Sequence, residues 1–318
     1  MKTFNFTSSL ADEMAHFVKL KQLSGSDYAA QAKLLRYFDR YLASQGFDGK
    51  ELTESQYQDY FSTINYIHSR TFSNRYGIVR QFSIWLNRGD HRSYILERHR
   101  AVDRSHSRPV YVFSHDEIKA ILLESSTLSL REERITGLYR TLFSLLYSTG
   151  IRIGEALALN CADYTRDEKL IHIQKGKFHK ERYLILSSTM AECLNNYLLH
   201  HEVMTKQRGT SPLFFNMREN RLRLHNVHLA FKKVLKKSSI HKDKNNGPRI
   251  HSFRHTFAVH RLLRWYETEK DINSKLPFLA TYMGHVNINS TQVYLQASNE
   301  LLKVGCKRFH HFFINNCQ

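Results

Sequence analysis

The sequence predicts a mainly α fold with a small antiparallel β-sheet, in two domains. Three observations lead there. Apolar residues recur at helical spacing over most of the 318 residues, β-formers alternate only around residues 169–186, and a polar, basic stretch near residue 104 separates two patterned regions. In the first region, residues 1–103, Leu34, Phe38, Tyr41 and Leu42 fall on one helical face and Gly46 follows as a stop. Trp85 and Leu86 run into Asn87-Arg88-Gly89 in the same manner, so this region reads as a helical module. Residues 104–110, beginning Arg104-Ser105-His106-Ser107-Arg108-Pro109, form the linker. The second domain, 111–318, opens with a capping box, Ser114-x-x-Glu117, before Ile118, Ile121 and Leu122 start a new helix. Residues 169–186 alternate around a Lys/Gly/His turn and predict a hairpin. Beyond it the pattern is helical again, and a basic, turn-rich loop at 236–249 leads into a helix expected from His251 to Trp265.

Charge narrows the partners. Forty-seven Lys and Arg against 29 Asp and Glu leave a net charge of +18, and the pI is near 9.7. Such a chain binds polyanions in a salt-dependent way, with nucleic acid the leading partner. Mean hydropathy is −0.49, and no apolar run approaches the roughly 18 residues of a membrane span. The segment after Met1 has no apolar signal core, so a cytoplasmic, nucleoid-associated protein without membrane contact is expected. Cys161, Cys193, Cys306 and Cys317 show no C-x-x-C pairing and read as reduced thiols. The tail gathers Cys306, His310, His311 and Cys317, but its spacing fits no common zinc pattern. No metal or cofactor is expected.

Chemistry concentrates in separated residues of the second domain: Arg152, then His251 and Arg254, then His285, then Tyr294. Each has an ordinary reading. Arg152 can be a salt-bridge partner of Glu155 in an apolar helical pattern, His251 a helix-start residue, His285 a satisfied histidine beside a cap, and Tyr294 one of 17 largely structural tyrosines. Together they suit a phosphodiester. Its non-bridging oxygens gather negative charge under nucleophilic attack, and two permanently charged guanidinium forks match that charge. His251 and Arg254, three apart, are expected on one helical face. A tyrosine, with a reference pKa of about 10, is a weak nucleophile until neighbouring cations stabilise its phenolate.

At these residues the chain resembles the tyrosine recombinases, integrases and resolvases that cut and rejoin DNA through a phosphotyrosine. Thr149 to Leu159 (TGIRIGEALAL) is similar to the segment holding the first catalytic arginine, with Glu155 at its acidic position. His251-Ser252-Phe253-Arg254-His255 resembles the second box, and Met283-Gly284-His285 with Thr291-Gln292-Val293-Tyr294 the closing box and nucleophile. The turn Gly176-Lys177-Phe178-His179-Lys180-Glu181-Arg182 matches the family's β-hairpin with its catalytic lysine at Lys177, Lys175 and Lys180 remaining competitors.

The resemblance implies a helical core-binding domain before the catalytic domain, closing on DNA as a clamp. It implies Tyr294 as nucleophile, Arg152 and Arg254 on the non-bridging oxygens, His285 assisting them, His251 in proton transfer, Lys177 as general acid and Glu155 in support. The partners it implies are double-stranded DNA with a specific core site, a homotetramer on synapsed duplexes and accessory recombinases. A long stretch between Arg254 and His285 tilts the reading toward integration, excision or transposition of a mobile element. Phe309, Phe312 and Phe313 are expected as anchors on a neighbouring subunit. Two alternatives stand beside this reading: a DNA-relaxing enzyme like the type IB topoisomerases, and a DNA-binding accessory protein with an idle site. Tyr282 is the rival nucleophile, disfavoured because it precedes the closing box.

Overall fold

The computed structural model describes residues 4–88, 92–98, 110–128, 137–174, 181–202, 211–216, 218, 220–240, 247–268 and 274–284. Lys175, Lys177, Lys180, His285, Tyr294, the predicted linker apart from Val110, and the Cys/His tail with Phe309, Phe312 and Phe313 lie outside them. The chain divides into two units, Met1–Ser107 and Arg108–Gln318.

The first unit holds α1 (Ala11–Leu23), α2 (Ala29–Ser44), α3 (Glu54–Thr63) and α4 (Ser69–Leu86). In α2 the apolar residues that bury completely are Ala32, Leu35, Phe38 and Leu42, while Leu34 and Tyr41 flank this core half-buried. Around Phe38 the rings of Tyr57, at 5.6 Å, and Tyr60, at 4.9 Å, supply much of the apolar filling. Asp39 is buried on the same helix, and its carboxylate accepts from the Thr7 and Ser8 amides at 2.9–3.0 Å. That charge is tolerated because backbone donors replace its water.

In the second unit the capping box at Ser114 and Glu117 is formed in both directions and starts α5 (His115–Thr127). Next come α6 (Leu138–Thr149), α7 (Ile153–Ala158), a 3-10 turn Cys161–Asp163, strands β1 (Tyr164–Thr165), β2 (Leu170–Ile173) and β3 (Arg182–Ile185), and helices α8 (Ser188–Glu202), α9 (Leu224–Lys237), α10 (Ser252–Thr268) and α11 (Leu276–Met283). The predicted hairpin is the β2–β3 pair, with Ile173 opposite Arg182, and β1 adds a third antiparallel strand that its two-residue length concealed in the sequence. The helix expected from His251 begins one residue later and runs three residues further.

Helix α6 packs against α5, α8 and α10, and its buried face carries Leu138, Leu142, Phe143, Leu145 and Leu146. Phe253, at the start of α10, lies 5.4 Å from Phe143, 5.2 Å from Phe113 and 5.7 Å from Phe231 between ring centroids. This aromatic anchor fixes where α10 enters the core. α6 ends at Gly150, whose φ of +63° is left-handed, as glycine at a helix stop permits. A Cβ there would stand 2.4 Å from Cδ1 of Phe257 on α10. Gly150 therefore permits both the turn and the close helix approach.

Two outcomes follow from this packing. Gly150→Ala combines left-handed strain with overpacking and is expected to cost about 2–5 kcal/mol, whereas Gly46→Ala, with equal φ sign but nothing within 4 Å, costs only the strain of about 1–2 kcal/mol. Urea unfolding of both variants measures the difference. His260 on α10 stacks on His115 at 4.2 Å, and its Nδ1 lies 3.1 Å from the Tyr147 hydroxyl. Burial and the neighbouring His115 push its pKa down to about 4, against a smaller opposing effect of its hydrogen bond with the Phe113 backbone. An unfolded histidine takes up its proton near pH 6.5, so the stabilisation is complete above that pH and is lost as pH falls toward 4. Residual solvent contact limits it to a fraction of the ~1.4 kcal/mol per pH unit a fully buried group gives. His260→Gln is expected to flatten unfolding free energy against pH in that window.

Candidate active site

The site assembles where α6 ends, α7 and α10 begin, β3 starts and α11 stops. Beyond the turn at Gly150 the chain extends, and Arg152 sits at φ −70°, ψ 140° as the residue capping α7. It is thus not inside a helix, as the apolar run before it suggested. Helix α7 places Glu155 one turn later, and its carboxylate accepts from the Arg152 amide at 3.2 Å and from Nη1 of Arg152 at 2.9 Å. Arg182, the first residue of β3, closes on the same carboxylate, Nη1 to Oε1 at 3.2 Å and Nη2 to Oε2 at 2.7 Å.

Arg254 is 2 % exposed. Its fork donates to the Gly150 carbonyl at 2.6 Å and the Met283 carbonyl at 2.7 Å. Arg182 Nε donates to the Tyr282 carbonyl at 3.1 Å, and Arg152 Nη2 to the Gly284 carbonyl at 3.0 Å. Three successive carbonyls at the end of α11 each receive one guanidinium. A helix leaves its last carbonyls without intrahelical partners and carries partial negative charge there, so cations are the fitting donors. Gly284 takes the left-handed cap at φ +68°.

Electrostatics follow from the count. Two guanidiniums, Arg152 and Arg182, close on the Glu155 carboxylate, and Arg254, held by the neighbouring carbonyls, adds a third positive charge, leaving the cluster net positive. Glu155 is pushed upward by burial, but hydrogen bonds and charge from Arg182 and then Arg152 outweigh this and hold its pKa below the usual carboxylate value. Of the pair on Glu155, Arg152 is the more open, 25 % exposed against 11 % for Arg182. Burial of the ring, then the charges of Arg254 and Arg152, lower the His251 pKa, so its imidazole is neutral at pH 7 while an exposed edge still faces solvent. His255 meets it edge-on at 4.7 Å.

The structure therefore brings together Arg152, Glu155, His251 and Arg254. The hydroxyl of Tyr282, the rival nucleophile, donates to the Ile185 carbonyl at 3.1 Å, and burial, opposed by Arg261 and Arg182, pushes its pKa up to about 12. Arg182 received no role from the sequence, because a charged residue at a hairpin base reads as a solvated face; only its place in the Gly176–Arg182 motif marked it. Among the described residues no group of three His, Cys, Asp or Glu gathers for a metal ion, and no helix is long and apolar enough to cross a membrane.

A sequence profile of the phage integrase family matches residues 112–300, more than half the chain. The chain belongs to the phage integrase family. It is a tyrosine recombinase. Relatives of this integrase-family protein include two from Sinorhizobium fredii named as integrase/recombinases, y4rB at 32% identity over 74% of this chain and 77% of the relative, and y4rE at 28% over 95% and 96%. The tyrosine recombinase XerC of Chlamydia trachomatis is 30% identical over 54% of this chain and 50% of its own. Among solved structures, the XerH site-specific recombinase bound to palindromic difH superposes with a TM-score of 0.65 at 19% identity, covering 88% of this chain and 78% of that one. The Tn1549 transposon integrase in complex with a circular intermediate DNA gives 0.63 at 15%, covering 95% and 100%. These two share the recombinase fold.

Replacing Arg254 by lysine leaves one point charge for a fork that serves two carbonyls. Arg254→Lys is expected to lower DNA cleavage at saturating protein by on the order of 10²–10³, with helical circular dichroism retained; single-turnover cleavage of a nicked duplex reads it.

Proposed function

We propose that this recombinase breaks and rejoins DNA at a specific core site through a 3′-phosphotyrosyl link formed by Tyr294. The observation that carries the reading is the net-positive cluster in which Arg152 and Arg182 share the single carboxylate of Glu155 while Arg254 holds the Met283 carbonyl between those that Arg182 and Arg152 hold. Such preorganised cations favour the pentavalent phosphate, whose equatorial oxygens gather charge as the nucleophile attacks. Arg152, held by Glu155 yet open to solvent, and Arg254, fixed by two carbonyls, hold the non-bridging oxygens. His285 follows directly on Gly284, whose carbonyl Arg152 holds, and assists them.

His251, neutral at pH 7, exchanges the phenol proton as Tyr294 attacks. Lys177 protonates the departing 5′ oxygen, with Lys175 and Lys180 as competitors. The P–O bond to the 5′ oxygen breaks as the bond to the tyrosine forms, so the bond energy is conserved and a 5′ hydroxyl from another duplex reverses the step. Neither metal nor nucleotide has a place in that balance.

The basic chain supports duplex DNA as partner, and Lys232, Lys233, Lys236 and Lys237 expose four cations along α9. Exchange between two duplexes calls for four protomers, with the helical unit at 1–103 joined through 104–110 to the catalytic domain at 111–318. Integration, excision or transposition of a mobile element, with accessory recombinases and in the nucleoid, is the biological setting this reading favours.

Labelled, nicked duplexes from the flanks of the native locus, incubated in EDTA without ATP, are expected to give a denaturation-resistant protein–DNA adduct. Tyr294→Phe is expected to bind the same DNA and give none. An adduct surviving in that variant moves the nucleophile elsewhere; tight binding without any wild-type adduct favours the idle accessory protein.

A further inference from the structure

Arg182 is the half-buried cation of this cluster that the roles above leave unassigned. It stands at the base of the turn that bears the candidate lysines, on the first residue of β3, paired in register with Ile173. All three nitrogens of its guanidinium are committed. Nη1 and Nη2 go to Glu155, and Nε goes to the Tyr282 carbonyl. Space for it depends on a missing side chain, since a Cβ on Gly284 would stand 2.9 Å from Nη1 and 3.0 Å from Cζ of Arg182. With all three nitrogens committed, this side chain is poorly placed to reach a phosphate. It is well placed to fix what does.

We propose that Arg182 is a positioning residue for cleavage, which locks the base of the lysine hairpin to Arg152 through Glu155 and to the end of α11 through the Tyr282 carbonyl. Two consequences follow from charge and geometry. One carboxylate shared between two guanidiniums cannot neutralise both, so by drawing on Glu155 with two bonds Arg182 leaves the Arg152 charge available to the DNA. By holding the carbonyl before those of Met283 and Gly284, it also holds the segment from which His285 continues. Lysine in its place has one nitrogen and cannot span the carboxylate and the carbonyl together.

The inference rests on the cleavage reading, and the experiment separates the two. Single-turnover adduct formation on a nicked duplex, and dissociation constants for the same duplex, are measured for wild type, Arg182→Lys, Glu155→Gln, the double variant and Tyr294→Phe. Arg182→Lys is expected to slow cleavage at saturating protein on the order of 100-fold, the loss that a misplacement of about 1 Å causes. Its dissociation constant is expected to stay within about twofold, which marks lost transition-state stabilisation rather than lost binding. Adding Glu155→Gln is expected to slow it little further, since both act through one carboxylate.

No adduct with wild type defeats the cleavage reading itself. A wild-type adduct with an unchanged Arg182→Lys rate overturns the positioning role alone. Weakened binding whose rate recovers at high protein makes Arg182 a DNA contact and overturns it too. If Arg182→Lys loses its native circular dichroism, Arg182→Gln, which keeps a planar donor, repeats the measurement. Loss of the fold in both assigns Arg182 to folding and rejects the proposal.

Discussion

The arrangement depends on how the C-terminal end of α11 is neutralised. The carbonyls of Tyr282, Met283 and Gly284 lie at the helix end, where intrahelical partners run out, and each takes a guanidinium from a different part of the chain. An unmet buried carbonyl costs about 1–3 kcal/mol, so these bonds hold the end of α11 to the start of α7, the start of β3 and the first turn of α10. Glu155 supplies the opposing charge that allows two of those guanidiniums to lie side by side. A network of this kind is rigid when every member is satisfied and expensive when one is removed.

Packing sets the register of that network. Phe253 is wedged among Phe113, Phe143 and Phe231, and the next residue along the helix is Arg254. The Phe113 amide donates to the Thr256 hydroxyl at 2.9 Å, tying the strand-like entry of the unit to α10 one turn further on. With α10 so fixed, the left-handed turn at Gly150 presents its carbonyl to Arg254 rather than to solvent. Apolar burial thus decides where a permanent charge sits, and hydrogen bonds decide which way its fork faces.

The same enclosure separates the tyrosines and histidines by chemistry. Tyr282 lies within the cluster of cations yet is raised to about 12, because burial of its ring outweighs the help of Arg261 and Arg182. Proximity to arginine is not enough to make a nucleophile; the phenolate needs more stabilisation than its desolvation costs. His251 shows the reverse balance, where burial and two positive neighbours act in the same direction and keep the ring neutral.

Much of this was legible in the residues alone. The helical class, the Ser114–Glu117 cap and the hairpin follow from periodicity and turn residues, which are local properties, while the grouping of Arg152 with Glu155, His251 and Arg254 followed from the phosphate-binding character of guanidinium together with the resemblance of the separated motifs to the tyrosine recombinases. The two-residue strand β1, the extended conformation of Arg152 and the role open to Arg182 were not. Each depends on partners far along the chain: Arg182 meets Glu155 across 27 positions and Tyr282 across 100. The sequence by itself determined which charges exist and which helices can form. Only the tertiary structure decided which charges share a carboxylate and which carbonyls they hold, because those distances are set by the packing of α6, α10 and α11 around residues that no local pattern connects.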